Sequence, residues 1–218
     1  MSEATLLISS KNYSSWSLRG YLLAKLSGID FAEEHVSPDD PRAREELLMR
    51  TSSILVPCLI HGDVTVWDTL AIAEYLNELY PAAQMLPAEK VARARCRSIS
   101  GEMHSGFAAL RSSLPMNLRF RKPGFTVWSS AQADIDRITA IWRECLSTWK
   151  GPFLFGKKPT IADAMYAPVV TRFLSYDVTV GPACQDYCDT IMAWPPMKQW
   201  VEDSHEEPQE IIELDLDF

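Results

Sequence analysis

Three groups of residues in this 218-residue chain have the types and spacing to do chemistry. The first is the polar segment Lys11-Asn12-Tyr13-Ser14-Ser15-Trp16-Ser17-Leu18-Arg19, which leads into apolar residues that run to Gly28, a plausible helix stop. Its serines, Ser14 and Ser15 foremost, stand where a hydroxyl caps a helix start. The second is Pro57, which opens the aliphatic run Cys58-Leu59-Ile60. A proline there has no N–H to give, and fits only at an edge or in a special turn. The third is the pair Asp68-Thr69, placed where the N-cap of a following helix belongs. Helix starts carry unpaired N–H groups and hold anions well. Each group alone reads as an ordinary cap or edge proline; their order along the chain is what carries information.

The elements that position them follow from periodicity. Residues 55–67 read as strand, Gly62-Asp63 turn, strand, with β-branched and aliphatic residues before the turn and alternation through Val64 and Val66 after it. Helical spacing begins after Asp68: Ile72, Ala73, Leu76, Leu79 and Tyr80 fall on one face, with Glu74 and Glu78 opposite. Upstream, Thr5 to Ser9 reads as a central strand, residues 16–26 as a helix, Phe31 to Val36 as a second strand, and the segment from Ser37 to Pro41 as the start of an amphipathic helix through Leu48. The order over residues 1–81 is β-α-β-α-β-β-α, that of a thioredoxin-like α/β domain. Pro81 stops the last helix and residues 82–88 read as a linker. From 88 to 218 the pattern is all helical, with helices expected near 88–112, 130–150, 160–176, 184–193 and 196–205.

A proline entering a hairpin, followed by an acidic-hydroxyl pair on a helix start and then by a helical domain, resembles the glutathione S-transferase family, and the resemblance covers most of the chain. It implies the fold of that family and glutathione as co-substrate. It further implies that Val56-Pro57 is a cis bond whose backbone pairs with the cysteinyl part of glutathione, and that Asp68 and Thr69 hold the γ-glutamyl end. The segment around Ser14 is similar to the serine-bearing loops of the zeta, tau and theta classes. Kept ungapped from Gly28 back through Arg19, the alignment puts Ser14 on the catalytic serine, with Ser15 second. Anchoring on Trp16 puts Asn12 there instead, and Tyr13 is a weaker rival. Thr160-Ile161-Ala162-Asp163 resembles the capping box of the family's helical domain, so Asp163 is expected to be structural.

Glutathione chemistry needs the thiolate, and a free thiol has a pKa of about 8.5. Lowering it by two units takes roughly 2.7 kcal/mol of preference for the anion. A donated hydroxyl can supply about 1.5–3 kcal/mol and a helix N-terminus about 0.3–1 kcal/mol. A serine at the start of the first helix offers both. The second substrate, a small electrophile, is expected beside Met103, Phe107 and Arg111, with Asn117 and Arg119 in the following loop; Met and Phe at helical spacing are also the usual content of a core. His104 is expected to be packed or solvated. The family's basic contact before the proline is replaced by Ser53-Ile54-Leu55, so a cationic contact to glutathione's carboxylates is either missing or comes from Lys11, Arg42 or Arg50.

Composition bounds the alternatives. A net charge of −8 disfavours nucleic acid or an anionic membrane surface as partner. Five cysteines without C-x-x-C or metal-type spacing suit a reducing cytoplasm and suggest no metal site. No apolar run is long enough to span a bilayer, and no basic-then-apolar leader is present. Thiolate addition and cis–trans isomerisation of a maleyl-type acid share the first half of their mechanism and are not separable here. A non-catalytic interaction module of the same architecture is the rival from another class, and a glutaredoxin-type reductase is disfavoured because no cysteine precedes the first helix. The resemblance also implies a homodimer.

Overall fold

The computed structural model describes residues 4–36, 41–51, 53 and 55–208. The expected helix start over residues 37–40, Ile54, and the chain beyond Pro208 lie outside the described residues. The first part of the chain is built from β1 (Ala4–Ile8), α1 (Ser15–Ser27), β2 (Phe31–His35), α2 (Pro41–Thr51), β3 (Cys58–His61), β4 (Val64–Trp67) and α3 (Thr69–Leu79). The strands form one sheet in the order β2-β1-β3-β4, parallel between β1 and β2 and antiparallel elsewhere. The aliphatic run Leu6-Leu7-Ile8 is fully buried because β1 is internal and covered on both faces. Cys58 pairs with Trp67 and His61 with Val64, so Gly62 and Asp63 make a two-residue turn, with Gly62 at φ 57°.

Helix α1 begins on Ser14, whose Oγ accepts the Ser17 N–H at 3.2 Å, and ends on Gly28 at φ 79°. Gly20, midway along α1, lies against the Pro57 ring: a β-carbon there would stand 2.5 Å from Pro57 Cβ. No larger residue lets helix and proline approach this closely.

After a short 3-10 turn (Pro81–Ala83), the described chain is helical: α4 (Lys90–Ser105), α5 (Ala108–Ser113), α6 (Ser129–Trp149), α7 (Ile161–Ser175), α8 (Pro182–Ala193) and α9 (Pro195–Glu206). The helix expected over 88–112 is therefore two. Phe107 takes φ 57°, Gly106 closes α4 by donating to the Glu102 carbonyl at 2.8 Å, and α5 is restarted from outside, the Leu110 N–H donating to Asp134 of α6 at 2.9 Å. Helical periodicity continues across the break, which is why the pattern hides it.

Helix α7 is buried on nearly every side, with only Leu174 partly exposed. It ties the two parts of the molecule together: its Met165 carbonyl accepts from Arg19 Nε at 2.8 Å, and Tyr166 donates to the Ile99 carbonyl of α4 at 3.2 Å. Its start is the expected capping box. Asp163, fully buried, accepts from the Thr160 N–H at 2.7 Å, the Thr160 hydroxyl at 2.9 Å, the Leu154 N–H at 3.0 Å and the Tyr187 hydroxyl at 3.1 Å. Burial pushes its carboxyl up to about 6 against the pull of these donors. One apolar cluster runs from Leu6 and Leu22 through Met103 to Trp142 and Trp200, so both parts share a core.

Candidate functional site

A cavity of about 230 Å³ opens between the sheet part and the helical part, lined by Trp16, Leu55, Val56, Pro57, Asp68, Thr69 and His104. A larger depression of about 520 Å³ lies between the end of α5 and the loop 122–128, walled by Ser112, Lys122, Phe125 and Trp128 among others. The smaller cavity brings together Val56, Pro57, Asp68 and Thr69 from the sequence-derived set. The Val56-Pro57 bond is cis. It sits one residue before β3, where the missing proline N–H falls outside the ladder.

Asp68 is held in an unusual backbone conformation, φ 75° and ψ 133°. Such a position costs an L-residue on the order of 1–3 kcal/mol and persists only where its surroundings fix it. Here Oδ1 accepts from the Leu70 N–H at 2.8 Å and the Ala71 N–H at 3.3 Å, capping α3, while Oδ2 meets His104 Nε2 at 2.5 Å. Thr69 is 1% exposed and its hydroxyl has no hydrogen-bond partner. A buried hydroxyl without a partner costs about 1–3 kcal/mol, and this one belongs to the cavity wall.

His104 is neither packed nor freely solvated, as its residue type suggests, but is the cavity's link between the two parts. It comes from the last turn of α4, pairs with Asp68, and meets the Trp16 ring edge-on with centroids 5.2 Å apart. Trp16, Leu55 and His104 are the three lining residues that sequence reasoning did not place at the site. The signal was present only as a tryptophan among serines at a helix start.

Ser14 and Ser15 begin α1 next to Trp16. The Ser14 hydroxyl donates to Ser17 Oγ at 2.8 Å while accepting from the Ser17 N–H. Ser15 is 8% exposed, and its carbonyl accepts from Arg19 Nη1 at 3.2 Å. Asn12 is fully buried and turned the other way, its Oδ1 accepting from the Leu118 N–H at 2.8 Å and the Arg119 N–H at 3.1 Å. Of the second-substrate set, Met103 is fully buried in the shared core and Phe107 is buried at the α4–α5 break; neither lines the cavity. Arg111 lies over the Trp16 ring, 5.0 Å from its centroid. Arg119 and Asn117 serve the fold, the first donating to the Ser204 carbonyl at 2.8 Å and the second accepting the Arg119 N–H at 3.1 Å. Lys11 is engaged by Glu33 at 2.6 Å and Asp203 at 2.5 Å, and Arg50 by Glu34, so neither points a bare charge at the cavity.

A cis-proline strand start, an acid-capped helix with an unanswered hydroxyl and a histidine from the helical part meet in one cavity of a thioredoxin-like domain joined to a helical one. The comparisons give the family. Residues 13–79 match the glutathione S-transferase N-terminal domain and residues 90–203 the glutathione S-transferase C-terminal domain. The chain belongs to the glutathione S-transferase family, whose co-substrate is glutathione. It is 26% identical to a probable maleylacetoacetate isomerase of Caenorhabditis elegans over 77% of this chain and 78% of that protein. It is 27% identical to glutathione S-transferase 1 of Dianthus caryophyllus over 72% of this chain and 71% of the other. A glutathione transferase homolog from Burkholderia gl BGR1, solved with bound glutathione, superposes with a TM-score of 0.71 at 25% identity, covering 94% of this chain and 99% of that one.

Proposed function

We propose that this chain is a serine-type glutathione transferase, in which Ser14 activates the glutathione thiol for attack on a small electrophile. The observation that carries the reading is the unpartnered Thr69 hydroxyl, buried in the wall of a cavity that also holds the cis Val56-Pro57 bond and the α3 start. Glutathione laid along that wall gives Thr69 an acceptor through its γ-glutamyl carboxylate, and the α3 N-terminus favours the same negative charge. Asp68 offers Oδ2, the oxygen not used in capping, on the side where His104 meets it.

Ser14 and its rival Asn12 differ in what their side chains already bind. The Ser14 oxygen already accepts from Ser17, so its own proton is the one free to turn from Ser17 Oγ to a sulfur without loss of the cap. Asn12 is spent on the loop at 118–119. A thiol of the protein itself is a poor candidate for redox chemistry, although Cys58 follows Pro57 directly: it is fully buried, and burial pushes its thiol up to about 11. Free, buried cysteines throughout the described residues suit a reducing cytoplasm.

Isomerisation of a maleyl-type acid is the second reading, favoured by the Caenorhabditis elegans relative. It begins with the same thiolate addition and differs in what leaves.

The test separates Ser14 from Thr69. Ser14 stabilises thiolate over thiol, so Ser14→Ala raises the bound thiol's pKa and slows turnover, with a modest change in glutathione affinity. Thr69 touches glutathione equally before and during reaction, so Thr69→Val weakens binding with less effect on the saturated rate. Ultraviolet titration of the bound thiolate and the glutathione dependence of turnover read both. An unmoved thiol pKa in Ser14→Ala removes Ser14 from the role.

A further inference from the structure

The loop between β1 and α1, residues 9–14, is rich in polar side chains, and yet Ser9, Ser10 and Lys11 are buried and Asn12 is fully covered. A buried loop must find partners for its backbone N–H and carbonyl groups. This one finds them at the far end of the described chain. The Glu207 carboxylate accepts the Lys11 N–H at 2.9 Å on Oε1, and the Asn12 N–H at 3.1 Å and the Ser10 hydroxyl at 2.7 Å on Oε2. The Lys11 carbonyl accepts from Trp200 Nε1 of α9 at 2.9 Å. Around the same carboxylate, His35 Nδ1 stands 3.6 Å from Oε1, while the Lys11 ammonium turns to Glu33 and Asp203.

Glu207 is itself fixed in place. It ends α9, and its carbonyl and that of Ser204 both accept from the Arg119 guanidinium. The Arg119 N–H returns to the loop by donating to Asn12 Oδ1 at 3.1 Å, which closes a circuit of loop, α9 and Arg119. Lys11 and Arg119, whose charges the sequence offers to substrates, are both built into this clamp. Within the loop, the Ser14 N–H donates to the Ser10 carbonyl at 3.0 Å and the Tyr13 N–H to Ser10 Oγ at 3.3 Å. Ser14 is thus tied to Ser10, the residue whose hydroxyl Glu207 holds. The Glu207 side chain is 7% exposed, and bonds donated to a covered carboxylate are charge-assisted and stronger than neutral ones.

We propose that Glu207 is a positioning residue for thiol activation: from 195 to 197 positions away in sequence, its carboxylate sets the turn that aims the Ser14 hydroxyl at the glutathione sulfur. The proposal rests on the reading of Ser14 as the activator. The Ser14 cap of α1 can form from local sequence alone. Glu207 adds the direction from which the chain enters that cap, and with it the direction of Oγ. Activation depends on that direction, because a hydrogen bond weakens steeply once its angle falls below about 120°. Glutathione affinity draws on Val56, Pro57, Asp68 and Thr69, and Glu207 is not among the residues that line their cavity. Loss of the carboxylate therefore appears in the acidity of the bound thiol before it appears in affinity.

The test titrates the thiol of bound glutathione by ultraviolet absorbance in the full-length protein and in Glu207→Ala, Glu207→Gln and Glu206→Ala, with S-methylglutathione affinity measured by calorimetry. Glu207→Ala is expected to raise the bound thiol's pKa by about one pH unit or more, with S-methylglutathione affinity within about threefold of the parent. Glu207→Gln keeps one acceptor oxygen and falls between the two; it carries the test alone where Glu207→Ala does not fold. Glu206→Ala, at the exposed neighbour, matches the parent. Loss of folded protein lowers the number of sites but leaves the thiol pKa in those that remain, so acidity separates positioning from general destabilisation. The substitutions are repeated in Ser14→Ala, where Glu207→Ala is expected to add nothing. An unmoved thiol pKa in the Glu207 variants, or an equal rise with and without Ser14, overturns the proposal. If Ser14→Ala raises the thiol pKa and Glu207→Ala does not, the serine reading stands and the positioning role falls; if Ser14→Ala leaves it unmoved, the serine reading falls and the proposal with it.

Discussion

Adding a single methyl group at Gly20 or at Gly101 should change stability with opposite signs. Both glycines lie in helices, α1 and α4, where Gly→Ala alone gains about 0.5–1 kcal/mol by restricting the unfolded chain. At Gly101 nothing stands within 4 Å of a new β-carbon, so that gain should appear undiminished. At Gly20 the same carbon would sit 2.5 Å from Pro57 Cβ and 2.7 Å from Pro57 Cγ. Carbon atoms pack at about 3.5–4.0 Å, so α1 and the proline must part by on the order of 1 Å. The proline ring cannot swing aside as the end of a long side chain would. Overpacking of this kind costs about 1–3 kcal/mol, and with an approach this close the upper part of that range leaves Gly20→Ala destabilised by up to roughly 2.5 kcal/mol after the helix gain. Urea denaturation of the two variants reads the difference directly. Gly20→Ala should also lose retention on immobilised glutathione, because the displaced residue is part of the cavity wall. Stability of Gly20→Ala equal to that of Gly101→Ala within about 0.5 kcal/mol would refute the close approach.

Asp163 gives a pH signature. Its carboxyl is held at about 6 in the folded protein, against 3.8 for an ordinary aspartate, so between those values the folded state keeps a proton that the unfolded chain releases. Stability therefore falls as pH rises through that window, by up to about 3 kcal/mol, and the contribution is present in full below it. Asp163→Asn should be less stable throughout, having fewer acceptors for the four donors around it, and should lack this slope; parallel slopes for parent and variant count against the assignment. The protein should also sediment as a homodimer at micromolar concentration, an expectation drawn from the family, and a monomer throughout would exclude it.

The fold was legible because its signals are local. The Gly62-Asp63 turn, the Asp68 cap, the Gly28 stop and the Thr160–Asp163 box each lie within a few residues of what they control, and each forms as its residue types require. The α4–α5 break falls at Gly106 and Phe107 inside a continuing helical periodicity, and the restart of α5 is met by Asp134, which accepts the Leu110 N–H from a helix 24 positions on and is not legible locally. The same limit applied to the second-substrate side. Met103 and Phe107 have the periodicity of a helix face, but periodicity gives a face and not what it meets; here it meets the shared core.

The cavity shows that limit most clearly, since its functional character arises where residues distant in sequence meet. Asp68 could be read as a cap from its neighbours alone, and its Oδ1 does cap α3. What its position could not reveal is that Oδ2 is reserved for His104, 36 residues on, at the end of a helix whose end was itself misplaced by periodicity. Trp16 follows the same logic. On the sequence it is one apolar residue among serines; in the fold its ring is shared by Arg19 from its own helix, Arg111 from α5 and His104 from α4. Three basic side chains around one indole would ordinarily repel, and a chain this acidic has the means to neutralise them. It does so for His104, through Asp68, and not for Arg19 and Arg111 among the described residues, a property of the assembled cavity and of no single segment, which is why the chemistry of the cavity must be argued from the assembled fold while family membership can be argued from the motifs.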